Sequence, residues 1–440
     1  MSAPGAVREI PVTVESIAAG GDGVARADGL VVFLPRTAPG DRGTASVTAG
    51  KSFGRGRMLV LEHPSPVRVE PPCAHYEGDS CGGCQLQHMQ YAAQLDAKRR
   101  IVADSFARIA RREVEVPHVM QNGGPWRYRT KLTLALRRRA GGEQPREGSL
   151  APPHSPWVAG LRPYDDPAAV FQLHDCPISS EQLVDHWRAV LQAGQLLPDA
   201  PELRVSARLT SPGLALVVQG GIRWGNSRDF AASIPGLSEL WWAAEGHDPV
   251  LLHGGTAGTT AELPDESLDM EPGSSFAQVN DAVAESVREW VLRLALSRDP
   301  RTAVDAYSGT GVYAARLAAA GVRVIAIERD QAAAAFARRT LPSPSQSVEA
   351  AVEVALPGAL PADVVIVNPP RGGLHPRVAE VLSREEGRPA HLIYVSCNPA
   401  TLARDTARLH CWRIASVQPF DMFPQTAHVE VVCEFVPEQR

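Results

Sequence analysis

Three cysteines crowd the stretch CAHYEGDSCGGCQ, namely Cys73, Cys81 and Cys84, and a fourth, Cys176, stands far along the chain in LHDCPI. Thiolates are soft ligands, and four of them with no histidine in the CxxC repeat suit an iron–sulfur cluster. Tetrahedral zinc also accepts four cysteines, but zinc ribbons pair two CxxC knuckles, whereas here one knuckle is joined by two solitary cysteines. Cluster, zinc and unligated thiols are the three readings, in that order.

A second set of reactive residues lies in the last third. HLIYVSCNPATLARD sets Cys397 at the end of an apolar strand, just before a helix starting near Pro399. The positive end of a helix dipole lowers a thiol's pKa and favours a nucleophile. The competing reading is a small buried hydrophobe, which is also how Cys411 and Cys433 read. In DMFPQTAHVEVVCEF, Glu430 sits between Val429 and Val431. It either faces solvent at a sheet edge or is held inward for proton transfer.

After a strand around Val304, DAYSGTG supplies an acid and glycines ahead of a helix near Val312. Glu328 ends the following strand about twenty residues on, where a carboxylate can accept ribose hydroxyls. These glycines are sparser than in the dinucleotide fingerprint, and S-adenosylmethionine has no pyrophosphate to cradle, so it fits better than a nicotinamide cofactor. NPPRGG, from Asn368 to Gly373, follows another strand end and reads as a rigid wall beside the sulfonium.

These residues need elements to hold them. From Arg8 to Glu62, short alternating strands separated by glycine turns predict a small five-stranded barrel of the oligonucleotide-binding type. PSPVRVEPP reads as a linker. Beyond Cys84, Leu95, Val102, Phe106 and Ile109 form one apolar helical stripe opposite a basic face. Residues 127–260 mix strand-like runs such as YRTKLTLALR with a loop between Arg137 and Pro163, predicting an α+β region. From Pro300 onward strand and helix alternate, predicting a doubly wound, mostly parallel sheet that binds ligands at its carboxyl ends. The expected division is 1–64, 65–260 and 261–440.

At 440 residues the chain exceeds one compact core. Its 44% hydrophobic and 21% charged residues suit a globular protein. No apolar run is long enough for a membrane span. The start MSAPGAVREIPVTVE lacks a signal core, and seven cysteines without a leader predict a reducing compartment, the cytoplasm. A net charge of −5 argues against nucleic acid, yet between Leu95 and Arg139 twelve basic residues face four acids. With Trp126 and Tyr128 interleaved, that segment reads as an RNA footprint or, more blandly, a solvated helix face.

In order along the chain, the barrel, the CGGC knuckle, the late CP cysteine, PGSSFAQVN, DAYSGTG, NPPRGG, SCNPATLARD and DMFPQTAHVE resemble the bacterial RNA uracil-5-methyltransferases. The likeness is especially to the cluster-containing ribosomal RNA enzymes. The resemblance implies a TRAM-like barrel, a 4Fe-4S cluster on Cys73, Cys81, Cys84 and Cys176, and S-adenosylmethionine contacts from Gln278, Tyr307, Glu328 and Asn368. It further implies Cys397 as nucleophile, Glu430 as base and structured RNA as partner, 23S ribosomal RNA ahead of transfer RNA. No obligate protein partner is implied. Asn368 stands where many members carry aspartate, and no acid is evident after the next strand, in SVEAAVEVALPG. Asn-Pro-Pro also occurs in amino-group methyltransferases, which need no cysteine, and a non-catalytic RNA-binding scaffold is the remaining alternative.

Overall fold

The computed structural model describes residues 7–27, 29–211, 213–254 and 278–438. The chain forms two compact units: Met1–Pro71, Cys84–Gly123 and Ala282–Arg440 make the first, and Pro72–Gly83 with Gly124–Asp281 the second. These lines differ from the three-part division drawn from composition, because barrel and strand–helix repeat fall in one unit and the middle stretch is split. PSPVRVEPP is not a free tether: Arg68 reaches back to the buried Asp41 of the barrel through Nη2 at 2.7 Å, and Ser65 donates its backbone N–H to the same carboxylate at 2.9 Å.

The barrel strands are β1 (Val7–Ile17), β2 (Gly23–Ala27), β3 (Leu30–Leu34), β4 (Arg42–Ala49) and β5 (Phe53–His63), closed in the order β1-β2-β3-β5-β4. Alternation puts Val12, Val14, Ala25, Val32, Leu34, Ala45 and Val47 inside. Ile17 and Ala38 pack with Leu86, Met89, Ala97, Ile101 and Ala427 in a separate small core. That core joins barrel, basic helix and the approach to the last strand. On the basic helix Tyr91–Ser105, Ile101 and Val102 are buried while Leu95 is only partly covered. Phe106 is buried just beyond it, but Ile109, expected on the apolar stripe, is exposed, because residues 106–110 widen into a π-turn that shifts the helical phase.

In the second unit, β6 (Lys131–Arg138), β7 (Trp157–Gly160), β8 (Glu202–Thr210), β9 (Gly213–Gln219), β10 (Leu237–Ala243) and β11 (Val250–His253) form a sheet in the order β11-β10-β9-β8-β6-β7. Leu132, Leu134 and Leu136 alternate inward along β6. The stretch read as a loop between Arg137 and Pro163 contains the edge strand β7, which pairs with β6 from Ala135 to Arg138.

The remaining strands are β12 (Thr302–Ala306), β13 (Arg323–Glu328), β14 (Gln346–Glu349), β15 (Val364–Val367), β16 (His391–Ser396), β17 (Trp412–Phe420) and β18 (Glu430–Pro437), in the order β14-β13-β12-β15-β16-β18-β17. β12 to β16 are parallel, and β18 enters antiparallel between β16 and β17. The fully buried runs Val364–Val367 and His391–Ser396 are what a sheet covered on both faces demands. The order reverses between β12 and β15, which is where such sheets bind ligands. Among the described residues no helix is long and apolar enough to cross a membrane.

Candidate active site

Register brings the candidates together. Ile327 of β13, Ala306 of β12 and Val367 of β15 stand side by side. One residue further along each strand come Glu328, Tyr307 and Asn368, so three residues picked from separate motifs form one row at the carboxyl ends. On the antiparallel side Ser396 faces Val431. Continuing that register by one residue sets Cys397 opposite Glu430, where cross-strand Cβ atoms lie about 5 Å apart.

Local chemistry fixes each position. Asn398 caps the helix Pro399–Arg408 by accepting from Ala400 and Thr401 N–H groups. Its Nδ2 also donates to the carbonyl of Arg371 at 3.4 Å. Leu374 N–H donates to Asp405 at 2.7 Å, and Arg404 to the Gly372 carbonyl at 2.7 Å. These ties hold the NPPRGG loop against the helix. Gly373 has φ +78°, and a Cβ there would lie 2.3 Å from the Asp405 carboxylate, so only glycine fits.

The loop delivers Arg371, which the sequence reading passed over as part of a wall. Its guanidinium stands near enough to the half-buried Cys397 thiol to lower its pKa. The expected depression of that thiol by the helix dipole is not what prevails. Burial pushes it up, the neighbouring Glu430 pushes it further, and Arg371 opposes both. Glu430 itself is 2% exposed, its Oε2 has no partner among the described residues, and burial lifts its carboxyl to about 8 despite Arg371.

At the other end of the row, Tyr307 (φ 60°), Gly309 (φ 55°) and Gly311 (φ 80°) take left-handed conformations that bend the chain from β12 into the helix Val312–Ala319. Glu328 accepts from Gly309 N–H at 2.9 Å on Oε2, and from Arg329 and Asp330 N–H groups at 2.7 Å each on Oε1. A carboxylate has about four acceptor positions, so in this conformation Glu328 retains one, on Oε2. Asp305 accepts from Ala314 N–H at 3.0 Å; its other oxygen and the Ser308 hydroxyl are buried without partners. Burial raises Asp305 to about 7. Glu349 ends β14 opposite Glu328.

Other candidates fall elsewhere. Gln278 belongs to the second unit, where the neighbouring Val279 carbonyl accepts from Thr130 N–H at 3.0 Å; residues 272–277 of PGSSFAQVN lie outside the described residues. Cys73, Cys81 and Cys176 are buried cysteines of the second unit, none in a disulfide, and Cys84 follows Gly83 across the division. Burial raises the Cys73 thiol, and the nearby Cys176 and Asp175 add to the rise. Among the described residues no three His, Cys, Asp or Glu side chains are grouped to hold a metal ion.

Part of the basic segment is already paired within the protein, one residue of it in the interior and the others nearer the surface. Lys98 is buried against Asp421, Arg127 pairs with Asp175 at 2.7 Å, Arg137 with Glu143 at 2.9 Å, and Arg138 with Asp199 at 2.7 Å.

Residues 6–59, the barrel, match the TRAM domain, and residues 358–435, spanning Asn368, Arg371, Cys397 and Glu430, match the tRNA (Uracil-5-)-methyltransferase family. The 23S rRNA (uracil(1939)-C(5))-methyltransferase of Bordetella avium is 30% identical over 96% of this chain and 90% of its own. An RNA methyltransferase of Thermosynechococcus vestitus is 32% identical over 96% of this chain and 97% of its own. The chain belongs to the RNA uracil-5-methyltransferase family. It is an RNA methyltransferase dependent on S-adenosylmethionine. Its fold is that of the Pyrococcus abyssi tRNA (uracil-54, C5)-methyltransferase, at a TM-score of 0.66 and 23% identity over 97% of this chain and all of the other.

Proposed function

We propose that the enzyme forms 5-methyluridine in structured RNA, in 23S ribosomal RNA ahead of transfer RNA. The observation that carries the reading is the cross-strand juxtaposition of Cys397 and Glu430 beside Arg371. Uracil C5 is a poor nucleophile, so the Cys397 thiolate adds to C6 and the C5–C6 π electrons pass into an enolate. C5 then takes up the methyl group, since S-adenosylmethionine when bound supplies an electrophilic methyl. Ionised Glu430 removes the C5 proton, the double bond re-forms and the S–C6 bond breaks, returning the thiolate. Arg371 stabilises both anions in turn. A stacked base hides C6, so the uridine must be unpaired or flipped.

The row at the carboxyl ends fits the cofactor. Asp305 and Ser308 offer buried, unpartnered oxygens, the space where a Gly309 side chain would stand is open, and Glu328 can accept one ribose hydroxyl. Tyr307, Asn368 and Gln278 are the further contacts carried over from the family. For RNA, the outward face of β5 presents Phe53, Arg55, Arg57, Leu59 and Leu61. Phe33 meets Phe53 edge-on at 5.5 Å, and Arg55 lies over the Phe53 ring at 5.7 Å. Aromatic and basic side chains side by side suit a flexible strand. The ribosomal preference rests on the barrel and the cysteine knuckle occurring together, and on the Bordetella relative.

Cys73, Cys81, Cys84 and Cys176 would hold a 4Fe-4S cluster, with zinc the competitor. In a cubane each thiolate takes its own iron, so the sulfurs need not converge on one point as they do around zinc. Iron and sulfide assays on anaerobically purified protein decide: zinc without iron overturns the cluster. For the reaction, RNA carrying 5-fluorouridine should trap a covalent adduct through Cys397, because fluorine cannot leave as a proton does. Product without any adduct would overturn the mechanism. Comparing 5-methyluridine in 23S and transfer RNA from cells with and without the gene assigns the substrate.

A further inference from the structure

The strand that begins at Glu430 is reached through the loop Asp421–Val429, and that loop is tied to the chain immediately following Cys84. Gln425 sits at the centre. It has φ 69°, a left-handed conformation that a non-glycine residue keeps only when its surroundings impose it, and it is 2% exposed. The surroundings here are specific. Backbone N–H groups of Gln85 and Leu86 both donate to its carbonyl, at 3.1 and 3.0 Å. Gln94 Nε2 donates to its side-chain oxygen at 2.9 Å, and its backbone N–H donates to Gln94 Oε1 at 3.1 Å.

The start of the loop is held from the same side. Lys98, fully buried, pairs with Asp421 and donates to the Phe423 carbonyl at 2.9 Å. The Tyr91 hydroxyl donates to the other Asp421 oxygen at 2.7 Å. Lys98 and Tyr91 belong to the helix that sequence charge marked as an RNA surface, and neither is used as one.

We propose that Gln94, Lys98 and Tyr91 are positioning residues for Glu430: they clamp the left-handed Gln425 turn, and so set where the carboxylate stands when the C5 proton must leave. The inference rests on the Cys397–Glu430 mechanism and deepens it. It gives the knuckle a task without electron transfer, because Gln85 and Leu86 follow Cys84 directly and share the clamp. A clamp of this kind matters late in the cycle. Addition of Cys397 and arrival of the methyl group precede proton removal, so a displaced Glu430 strands the enzyme as a methylated covalent adduct.

The test compares Gln94→Leu, Tyr91→Phe and the paired Lys98→Met/Asp421→Asn, which avoids leaving a buried charge alone, with wild type on uridine-containing RNA. Expected are kcat values lowered about tenfold for Gln94→Leu with the RNA KM held within about twofold. Denaturing gels should show a larger share of enzyme carried as methylated RNA adduct. Tyr91→Phe removes one hydroxyl and keeps the fold, so it gives the same signature in smaller degree if the other variants misfold. Unchanged kcat in folded variants, or a loss of RNA affinity with no adduct, overturns the clamp. Wild type forming no adduct with 5-fluorouridine RNA overturns the mechanism and the clamp together. Wild type that traps beside variants that behave like it overturns the clamp alone.

Discussion

Glu430 and Glu434 stand four residues apart on β18, on the same face, and their carboxyls shift in opposite senses because only one of them is met by partners. Glu434 is met by His391 Nε2 at 3.0 Å and the Ser416 hydroxyl at 2.8 Å. Those partners hold its carboxyl below the ordinary range. Glu430 has Arg371 at a distance and an oxygen with no partner among the described residues, and its carboxyl rises. Asp363 and Asp305 repeat the contrast. Asp363, before the amino end of β15, accepts from Arg301 N–H at 2.8 Å and Thr302 N–H at 2.9 Å and is lowered. Asp305, near the carboxyl end of β12, is buried, half-partnered and raised. A carboxyl held by hydrogen-bond partners serves the fold. One left short of partners waits for a ligand or a proton.

Replacing Glu430 by glutamine breaks the comparison at its strongest point. Turnover should fall about 10²–10⁴-fold, the usual contribution of a positioned base, while the Cys397 adduct accumulates. Wild-type activity should climb with pH as Glu430 loses its proton near 8. A flat profile across that range would deny it the role. Glu434→Ala tests the other side: turnover within about twofold, stability lower by about 1–3 kcal/mol as His391 and Ser416 lose a buried acceptor. Chemical denaturation measures it. If catalysis fell instead, the two ends of β18 would not differ as argued.

The strand–helix alternation after Pro300 and the placement of Cys397 before a capped helix were legible because both are local: periodicity, a strand end, an Asn-Pro start. Glu430 was legible as an acid within an apolar strand, though not which way it faced, since register with β16 is a long-range fact. Arg371 was missed for the same reason. A guanidinium in a glycine-rich loop carries no mark of the thiol it will meet. Charge counting misled most where partners were distant in sequence, as with Lys98 and Asp421, because composition records a charge but not its neutralisation.

Asp305→Asn sharpens the contrast at the cofactor end. The substitution keeps shape and removes an acceptor with a free oxygen, so KM for the methyl donor should rise about tenfold, the worth of one charge-assisted hydrogen bond. KM for RNA should hold. Equal shifts in both would mean that Asp305 supports the whole site rather than one ligand. The matching change at the other end, Asp363→Asn, should leave both constants alone.

The smallest effect should appear in stability against pH, where the two glutamates pull in opposite senses. Glu430 binds its proton more tightly folded, near 8, than at its ordinary 4.5. Between those values the folded state holds a proton the unfolded chain has released, so stability falls as pH rises. Glu434 is lowered on folding, so its contribution is present above 4.5 and lost as pH falls through its folded value. Glu430→Gln should therefore flatten the decline from pH 6 to 7 by about 1 kcal/mol, with Asp305 sustaining the remainder. Below pH 4.5 the variant and wild type should run parallel, because there both states carry the Glu430 proton and only partnered acids such as Glu434 still titrate between them.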